Sequence, residues 1–250
     1  MMWKVVIGVI FCFSTVCGLH LPEYIKGCPL DAPNFKECAI QNGNEALLQL
    51  VKGDASYKIP SFLPFRLPFV AVNFNGLTMN LTNASFSGTE NLKLQDFTFD
   101  PVKKTTSMAF TGSMISYQFN YKAKGRIVAF PIEGQGYGSI KLYNATYLYS
   151  HNFEVKTKNK KHYMVIVKNN ITLEPETVQV SFDGLFNGNK LLGDNLNKFL
   201  NENWREIMAE FRPIISDMNG LIANHMVKRI YEKIPLEEIY PGIAFDDKSR

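Results

Sequence analysis

The chain has 250 residues, of which 46% are hydrophobic, 20% are charged and 13% are aromatic. This composition is typical of a globular protein and excludes a disordered or fibrous chain. The net charge of +4 is small and charges of both signs are interspersed, which argues against a dedicated nucleic-acid-binding protein.

The beginning of the chain has the layout of a secretory signal peptide. Lys4 precedes about a dozen apolar residues, and small residues follow at 16–18. We predict cleavage after Gly18, which makes residues 1–18 the signal peptide and 19–250 a single mature domain. A membrane anchor is the weaker alternative, because the apolar run is shorter than the roughly 20 residues that a membrane-spanning helix needs.

Cleavage would leave two cysteines in the chain, Cys28 and Cys38. We expect them to form a disulfide in an oxidising compartment, since two thiolates with no histidine nearby do not complete a zinc site. N-glycosylation on an extracellular surface is predicted by four Asn-X-Ser/Thr sequons, which begin at Asn80, Asn83, Asn144 and Asn170.

The first half of the mature chain predicts one helix and then a series of strands. Apolar residues at helical spacing predict a helix over 34–52, capped by Asn34. Three prolines in 59–68 predict an extended segment at a sheet edge. Between 69 and about 186 apolar residues alternate with period two, which predicts a meander of long antiparallel strands. A phase slip near Asp96 predicts a β-bulge, which bends a sheet.

Glycine-containing segments within this region are interpreted as turns between strands. Gly125 and the segment 134–136 are two of them. The run 134–138 also resembles a fragment of a phosphate-binding loop. However, Ser139 replaces the third glycine of the GxGxxG motif and strand residues follow it, which favours the turn.

Residues 194–233 carry large apolar side chains at spacings of three and four, which predicts one long amphipathic helix. We expect Asp194 to cap this helix and Pro213 to kink it. The apolar face is too wide for a two-helix seam, and the sequence predicts no second helix of equal length. The fold class is therefore α+β, with a strongly curved antiparallel sheet wrapped around one long C-terminal helix.

The sequence contains no arrangement of residues that is typical of an enzyme or a metal site. None of the four histidines lies in an HExxH motif, and neither GxSxG nor a Walker-A pattern occurs. We expect no catalysis, no metal and no cofactor. His225 is interpreted as a packed histidine, with a polar contact to a ligand as the alternative. The acidic pair 237–238 is expected to be solvated, and 158–161 to be an exposed hairpin tip, with a weak contact to anionic membranes as its alternative.

Six segments carry a family resemblance, the most specific being the paired cysteines of 21–38 and the Asn-Trp segment 200–206. The others are 59–65, 131–138, 185–192 and 234–241. Over 20–243 the chain resembles the insect takeout and haemolymph juvenile hormone-binding protein family. This resemblance implies a tubular lipid-binding (super-roll) fold with a hydrophobic tunnel around the long helix. The hormone carriers have a second disulfide, and this chain has no cysteine after Cys38, so it is more similar to the takeout branch.

Together these features predict a secreted carrier, in haemolymph or another extracellular fluid, of a small elongated hydrophobic ligand. A terpenoid such as juvenile hormone, a fatty-acid derivative or a semiochemical would suit such a tunnel. The candidate tunnel residues are large side chains on the strands and the long helix. If the phase of a strand is wrong by one residue, the residues chosen from that strand face outward instead of into the tunnel. The candidates are Phe110, Tyr117, Phe119, Phe130, Ile132, Tyr137, Leu142, Phe199, Trp204, Met208, Phe211, Ile215, Met218 and His225.

The main alternative is a secreted signalling protein that acts on a cell-surface receptor in feeding, circadian or chemosensory output. A lipid hydrolase is the least favoured hypothesis, because no reactive group accompanies the apolar residues. In either case we expect a monomer that binds no nucleic acid and does not insert stably into membranes.

Overall fold

The computed structural model of the chain describes residues 20–127 and 130–245, with the backbone alone at His225. The predicted signal peptide over 1–18 lies outside the described residues.

Seven antiparallel strands form one sheet in the described part of the chain. Their bounds are β1 Phe65–Phe74, β2 Leu77–Ser87, β3 Leu92–Asp100, β4 Thr105–Ile127, β5 Phe130–Lys158, β6 Lys161–Glu174 and β7 Thr177–Phe182. The hydrogen-bonded order is β1-β2-β4-β5-β6, with β3 also paired to β4 and β7 also paired to β5. This confirms the predicted meander of long antiparallel strands.

The sheet is organised around its two longest strands, β4 and β5, which have 23 and 29 residues. Each of them pairs with two shorter strands, one after the other along the same edge. Register shifts interrupt the ladders of β2, β3 and β5, and the shift in β3 between Leu94 and Asp96 confirms the predicted bulge. Because bulges bend strands and increase their twist, the sheet curls around the C-terminal helices.

Strand β1 forms one edge of the sheet, as the prolines in 59–68 predicted. Within this strand Leu67 pairs with Ala84 and Phe69 pairs with Thr82, whereas Pro68 between them has no paired residue. A proline is compatible with this position because it has no N–H to donate to a neighbouring strand.

Two glycine-containing segments that were predicted to be turns lie inside strands instead. Gly125 is part of β4, and 134–138 is part of β5. A Cβ atom at Gly134 or Gly136 would lie only 2.6 or 2.3 Å from backbone carbonyl oxygens of the segment 183–184, which follows β7. These two glycines therefore permit a close approach of two chain segments and do not reverse the chain.

Helix α1, Phe35–Leu50, confirms the helix predicted over 34–52. Asn34 occupies the N-cap position of this helix as expected, although its side chain makes no capping hydrogen bond. A disulfide joins Cys28 in the preceding loop to Cys38 in this helix, as expected.

The long C-terminal helix is interrupted at Asn203, where the sequence predicted no break. It consists of α2, Lys190–Glu202, and α3, Trp204–Tyr231. Asn203 between them has φ −110° and ψ 24°, and its side-chain amide donates a hydrogen bond to the Phe199 carbonyl oxygen at 2.8 Å. Pro213 lies inside α3, so the helix continues across it, and the expected kink there stays a prediction. The expected cap Asp194 is wrong, since Asn189 caps α2 by accepting a hydrogen bond from the Leu192 N–H.

Two asparagines of α2 attach this helix to β7. Asn197 accepts a hydrogen bond from the Phe182 N–H and donates one to the Phe182 carbonyl oxygen, both at 2.9 Å. Asn201 makes the same pair of bonds with Val180, also at 2.9 Å. The side-chain amides thus take the place of a neighbouring strand and satisfy an exposed sheet edge.

The C-terminal segment, with the short helix α4 (Leu236–Ile239), packs against the β5–β6 hairpin. Glu237 accepts hydrogen bonds from the ring Nδ1 of His162, at 2.6 Å, and from its backbone N–H. Glu238 contacts Lys161 Nζ at 3.2 Å and accepts a hydrogen bond from the Leu21 N–H. The expectation that this acidic pair is fully solvated is therefore wrong, whereas the hairpin tip at 158–161 is exposed as expected.

Candidate ligand cavity

A cavity of about 220 Å³ lies between the inner face of the curved sheet and the C-terminal helices. Apolar side chains of six strands and two helices line it. They are Phe65, Leu67, Val70, Val72, Leu77, Met79, Leu81, Ala84, Phe86, Phe119, Ile127, Ile140, Leu142, Leu173, Val178, Val180, Phe182, Leu200, Trp204, Ile207, Met208, Phe211, Ile214, Ile215, Met218 and Ile222.

The strand and helix periodicities of the sequence produce this lining. In β2, Leu77, Met79 and Leu81 are buried, while the residues between them are exposed. In α3 the lining residues recur at spacings of three and four from Trp204 to Ile222. At 1.5 Å per residue this stretch of helix is about 27 Å long, so the cavity is narrow and elongated.

The cavity is almost free of polar groups and contains no charged side chain among the described lining residues. Besides the Trp204 indole, the polar lining residues are Ser85, Tyr117, Gln118 and Asn219. The Tyr117 hydroxyl donates a hydrogen bond to Asn219 Oδ1 at 3.2 Å. Burial raises the pKa of Tyr117 to about 12, so the hydroxyl stays neutral at physiological pH. An ionised ligand group inside this cavity would therefore have no charged partner.

Two open grooves adjoin the cavity. The first, here called the α3 groove, has a volume of about 260 Å³ and is bordered by Glu174, Pro175, Arg205, Arg212 and Ser216. It shares Leu173, Trp204, Met208 and Ile215 with the cavity.

The second, here called the outer groove, has a volume of about 600 Å³ and lies on the other side of the sheet. It includes Arg66, Asn83, Glu90 and Tyr137 and shares Ser85, Gln118 and Phe119 with the cavity. The β2–β4 ladder slips beside it, between Thr82 and Ser85.

Another part of the interior holds a packed layer of aromatic and polar side chains around His151. The His151 ring lies 5.5 Å from the Tyr149 ring and 5.9 Å from the Tyr231 ring. Its Nε2 is 3.3 Å from the Met164 sulfur, and its Nδ1 has no hydrogen-bond partner among the described residues. Burial lowers the pKa of His151 to about 4, so the ring is neutral near pH 7. Neither ring nitrogen forms a hydrogen bond with a carboxylate or a hydroxyl group of the described residues.

The described residues contain no group of three or more His, Cys, Asp or Glu side chains that could hold a metal ion. In the same part of the chain, no helix combines the length and the apolar character that crossing a membrane requires.

The fold agrees with the comparison to known families. The model of the family described as haemolymph juvenile hormone binding protein matches residues 7–241. The chain belongs to this family. Among solved structures, Takeout 1 of Epiphyas postvittana is similar to this chain with a TM-score of 0.78 at 24% sequence identity. The match covers 87% of this chain and 100% of that one, and it shows that this member of the juvenile hormone-binding protein family has the same tubular fold.

The other comparisons add no further information about this family member. A lipopolysaccharide binding protein matches with a TM-score of 0.35 at 10% identity, over 76% of this chain and 39% of that one. No curated protein sequence matches the chain at a significant level.

The structure places eight of the residues proposed from the sequence in the wall of the cavity. They are Tyr117, Phe119, Leu142, Trp204, Met208, Phe211, Ile215 and Met218. Phe110 and Ile132 instead pack within the core beside it. The Phe130 ring is 43% exposed and lies 4.2 Å from the Phe199 ring. Tyr137 is 44% exposed and faces the outer groove, and for His225 no side chain is described.

The sequence reasoning missed the contribution of β1, β2, β6 and β7 to the cavity. The alternation Leu77, Met79, Leu81 was a usable signal, because it marks a strand with one buried face. The sequence pattern gives no signal for the position of β1 beside α3, where the Phe74 ring lies 5.5 Å from the Phe211 ring, because this contact joins segments that are distant in the chain.

Proposed function

We propose that this protein is a secreted carrier that holds one small, elongated hydrophobic ligand in the cavity. The observation that carries the proposal is the composition of the lining, which is apolar except for a few neutral polar groups. A ligand that loses about 300 Å² of apolar surface gains roughly 7 kcal/mol at about 25 cal/mol/Å². The costs of association and ordering reduce this gain, which is compatible with micromolar to nanomolar binding.

The length of the cavity favours an extended ligand. A terpenoid such as juvenile hormone, a fatty-acid derivative or a semiochemical could lie along α3, and the family name supports a ligand of this kind. A bulky or globular ligand would displace lining side chains, which are closely packed around the narrow cavity. The protein therefore selects by length and width first and by the few polar groups second.

The proposal of secretion rests on the predicted signal peptide, on the disulfide and on the four sequons. Asn80, Asn83, Asn144 and Asn170 are all exposed, which a glycosylated asparagine requires. The proposal that the protein is not an enzyme rests on the neutral, unreactive lining of the cavity.

A cavity-filling variant tests the proposal. Ala84 lines the cavity, whereas Ala71 is exposed on the neighbouring strand β1. We expect Ala84→Phe to lower the affinity for a neutral fluorescent probe such as N-phenyl-1-naphthylamine about ten-fold, because the added ring competes with the ligand for space. Ala71→Phe adds the same ring outside and should bind the probe like the wild type. Equal binding by both folded variants would contradict the proposal.

A further inference from the structure

The α3 groove differs from the cavity in one chemical respect, which is that it carries charge. Arg205 and Arg212 both border it, and both are exposed. They are seven residues apart on α3, which places them on the same face of the helix about two turns apart. The acidic side chain that borders the groove is Glu174, so its border carries a net charge of +1 from these three residues.

The groove and the cavity meet at four side chains that line both of them. Leu173, Trp204, Met208 and Ile215 line the cavity on one side and the groove on the other. Methionine is flexible and adapts its shape to a neighbour, so Met208 can move aside at low cost. Rotation of these side chains would join the two spaces and let a chain pass from solvent into the cavity.

The arginines are positioned at this connection. The Arg205 guanidinium lies over the Trp204 ring, with its Cζ 4.5 Å from the ring centroid. Arg212 Nη1 lies 3.6 Å from Glu174 Oε1, and both side chains are more than half exposed. Such a solvated pair is weak, so a second carboxylate can replace Glu174 as the partner of Arg212. Among the described residues, no Asp or Glu side chain lies within 4 Å of the Arg205 guanidinium group.

We propose that the α3 groove is the mouth of the cavity and binds the carboxylate head of a single-chain amphiphile whose tail occupies the cavity. Guanidinium groups match a carboxylate with two parallel hydrogen bonds, and the net charge of +1 at the border fits one negative charge. The uncharged interior cannot hold that head, whereas it suits the tail. This inference rests on the proposed function and adds the class of ligand and the place of its head group.

The test compares hexadecanoic acid with its methyl ester, which has the same chain and a neutral head. Both are titrated against the purified secreted protein at pH 7.4 by displacement of N-phenyl-1-naphthylamine. We expect the double variant Arg205→Gln/Arg212→Gln to bind the acid about five-fold more weakly and the ester within two-fold of the wild type. Glu174→Gln removes the competing carboxylate and should strengthen binding of the acid about two-fold.

Arg66→Gln is the matched control, because it removes an arginine from the outer groove instead. We expect it to leave the affinity for the acid unchanged. A selective loss of acid binding in Arg66→Gln, or an equal loss of acid and ester in the double variant, would overturn the proposal. If neither ligand binds the wild type, the proposed carrier function itself is wrong. If the wild type binds the ester as well as the acid, only the proposal that the α3 groove binds a carboxylate head is refuted.

Discussion

The Tyr117 hydroxyl on β4 donates a hydrogen bond to Asn219 Oδ1 on α3, at 3.2 Å. Asn219 in turn donates from its Nδ2 to the Ile215 carbonyl oxygen at 2.8 Å, which fixes the orientation of the amide. Since both side chains also line the cavity, this bond joins the sheet to the helix at the wall of the candidate site. The wall therefore includes a part-buried polar contact between the sheet and the helix.

Removing that hydroxyl should destabilise the protein. We expect Tyr117→Phe to lower the free energy of unfolding by about 1–2 kcal/mol, because the buried Asn219 Oδ1 loses its donor. Urea denaturation measures the change. Tyr143→Phe is the control, since the Tyr143 hydroxyl bonds to Gln179 on the surface and its loss should cost less than about 0.5 kcal/mol. An equal effect of both substitutions would refute a special role for the Tyr117 contact.

The attachment of α2 to β7 is expected to be sensitive to Asn201. Asn201→Ala removes two hydrogen bonds to Val180 and exposes the edge of β7, which should cost about 2 kcal/mol. Hydrogen exchange of the Val180 amide should become faster in this variant. Asn195→Ala on the exposed face of α2 should not lower the stability, because alanine favours the helix, and it should leave the exchange at Val180 unchanged. Unaltered exchange at Val180 in Asn201→Ala would show that the side-chain amide does not hold the edge.

The glycines of β5 give a steric prediction. Gly136→Ala places a methyl group 2.3 Å from the Asp183 carbonyl oxygen, so the backbone must shift and we expect a loss of more than about 2 kcal/mol. Gly193 in α2 is the control, because its added Cβ would lie at an ordinary 3.6 Å from Leu185. Gly193→Ala should stabilise the helix by up to about 1 kcal/mol. Thermal unfolding distinguishes the two, and similar melting temperatures would contradict the close approach seen here.

Buried His151 predicts a dependence of stability on pH. Burial lowers its pKa to about 4 in the folded state, whereas the unfolded chain has a histidine pKa near 6.5. Between these values the unfolded state binds more protons, so stability falls as the pH decreases from about 6.5 to 4. The free energy of unfolding should be about 2 kcal/mol lower at pH 5 than at pH 7 from this group. In His151→Gln the free energy of unfolding should no longer fall by this amount between pH 7 and pH 5. A variant whose stability depends on pH like that of the wild type would contradict the role of His151.

The strand pattern of the sequence predicted the sheet well because the inner face is built from large side chains. Along β4, Ile115, Phe119 and Tyr121 are buried at alternate positions, and this alternation was visible directly. In β5 the inward positions 134, 136 and 138 are glycines, which carry no hydrophobic signal. The conspicuous aromatic residue there is Tyr137, so it was chosen although it faces outward.

Two local backbone features were beyond the reach of a pattern argument. Asn144 adopts a positive φ of 47°, which changes the phase of β5 so that Leu142 and Ala145 are both buried while Asn144 is exposed. Asn203 interrupts the C-terminal helix, although apolar spacings of three and four continue across it. A periodicity records which face is buried and is insensitive to a single residue that leaves the regular conformation.

Native mass spectrometry of the purified protein measures the central claim most directly. We expect charge states that carry the added mass of one lipid-sized molecule, and the same molecule should appear in a solvent extract. In Ala84→Phe this added mass should be reduced or lost, whereas Ala71→Phe should retain it. Only the bare protein mass in the wild type, with no lipid in the extract and no uptake of added hydrophobic ligand, would contradict the account.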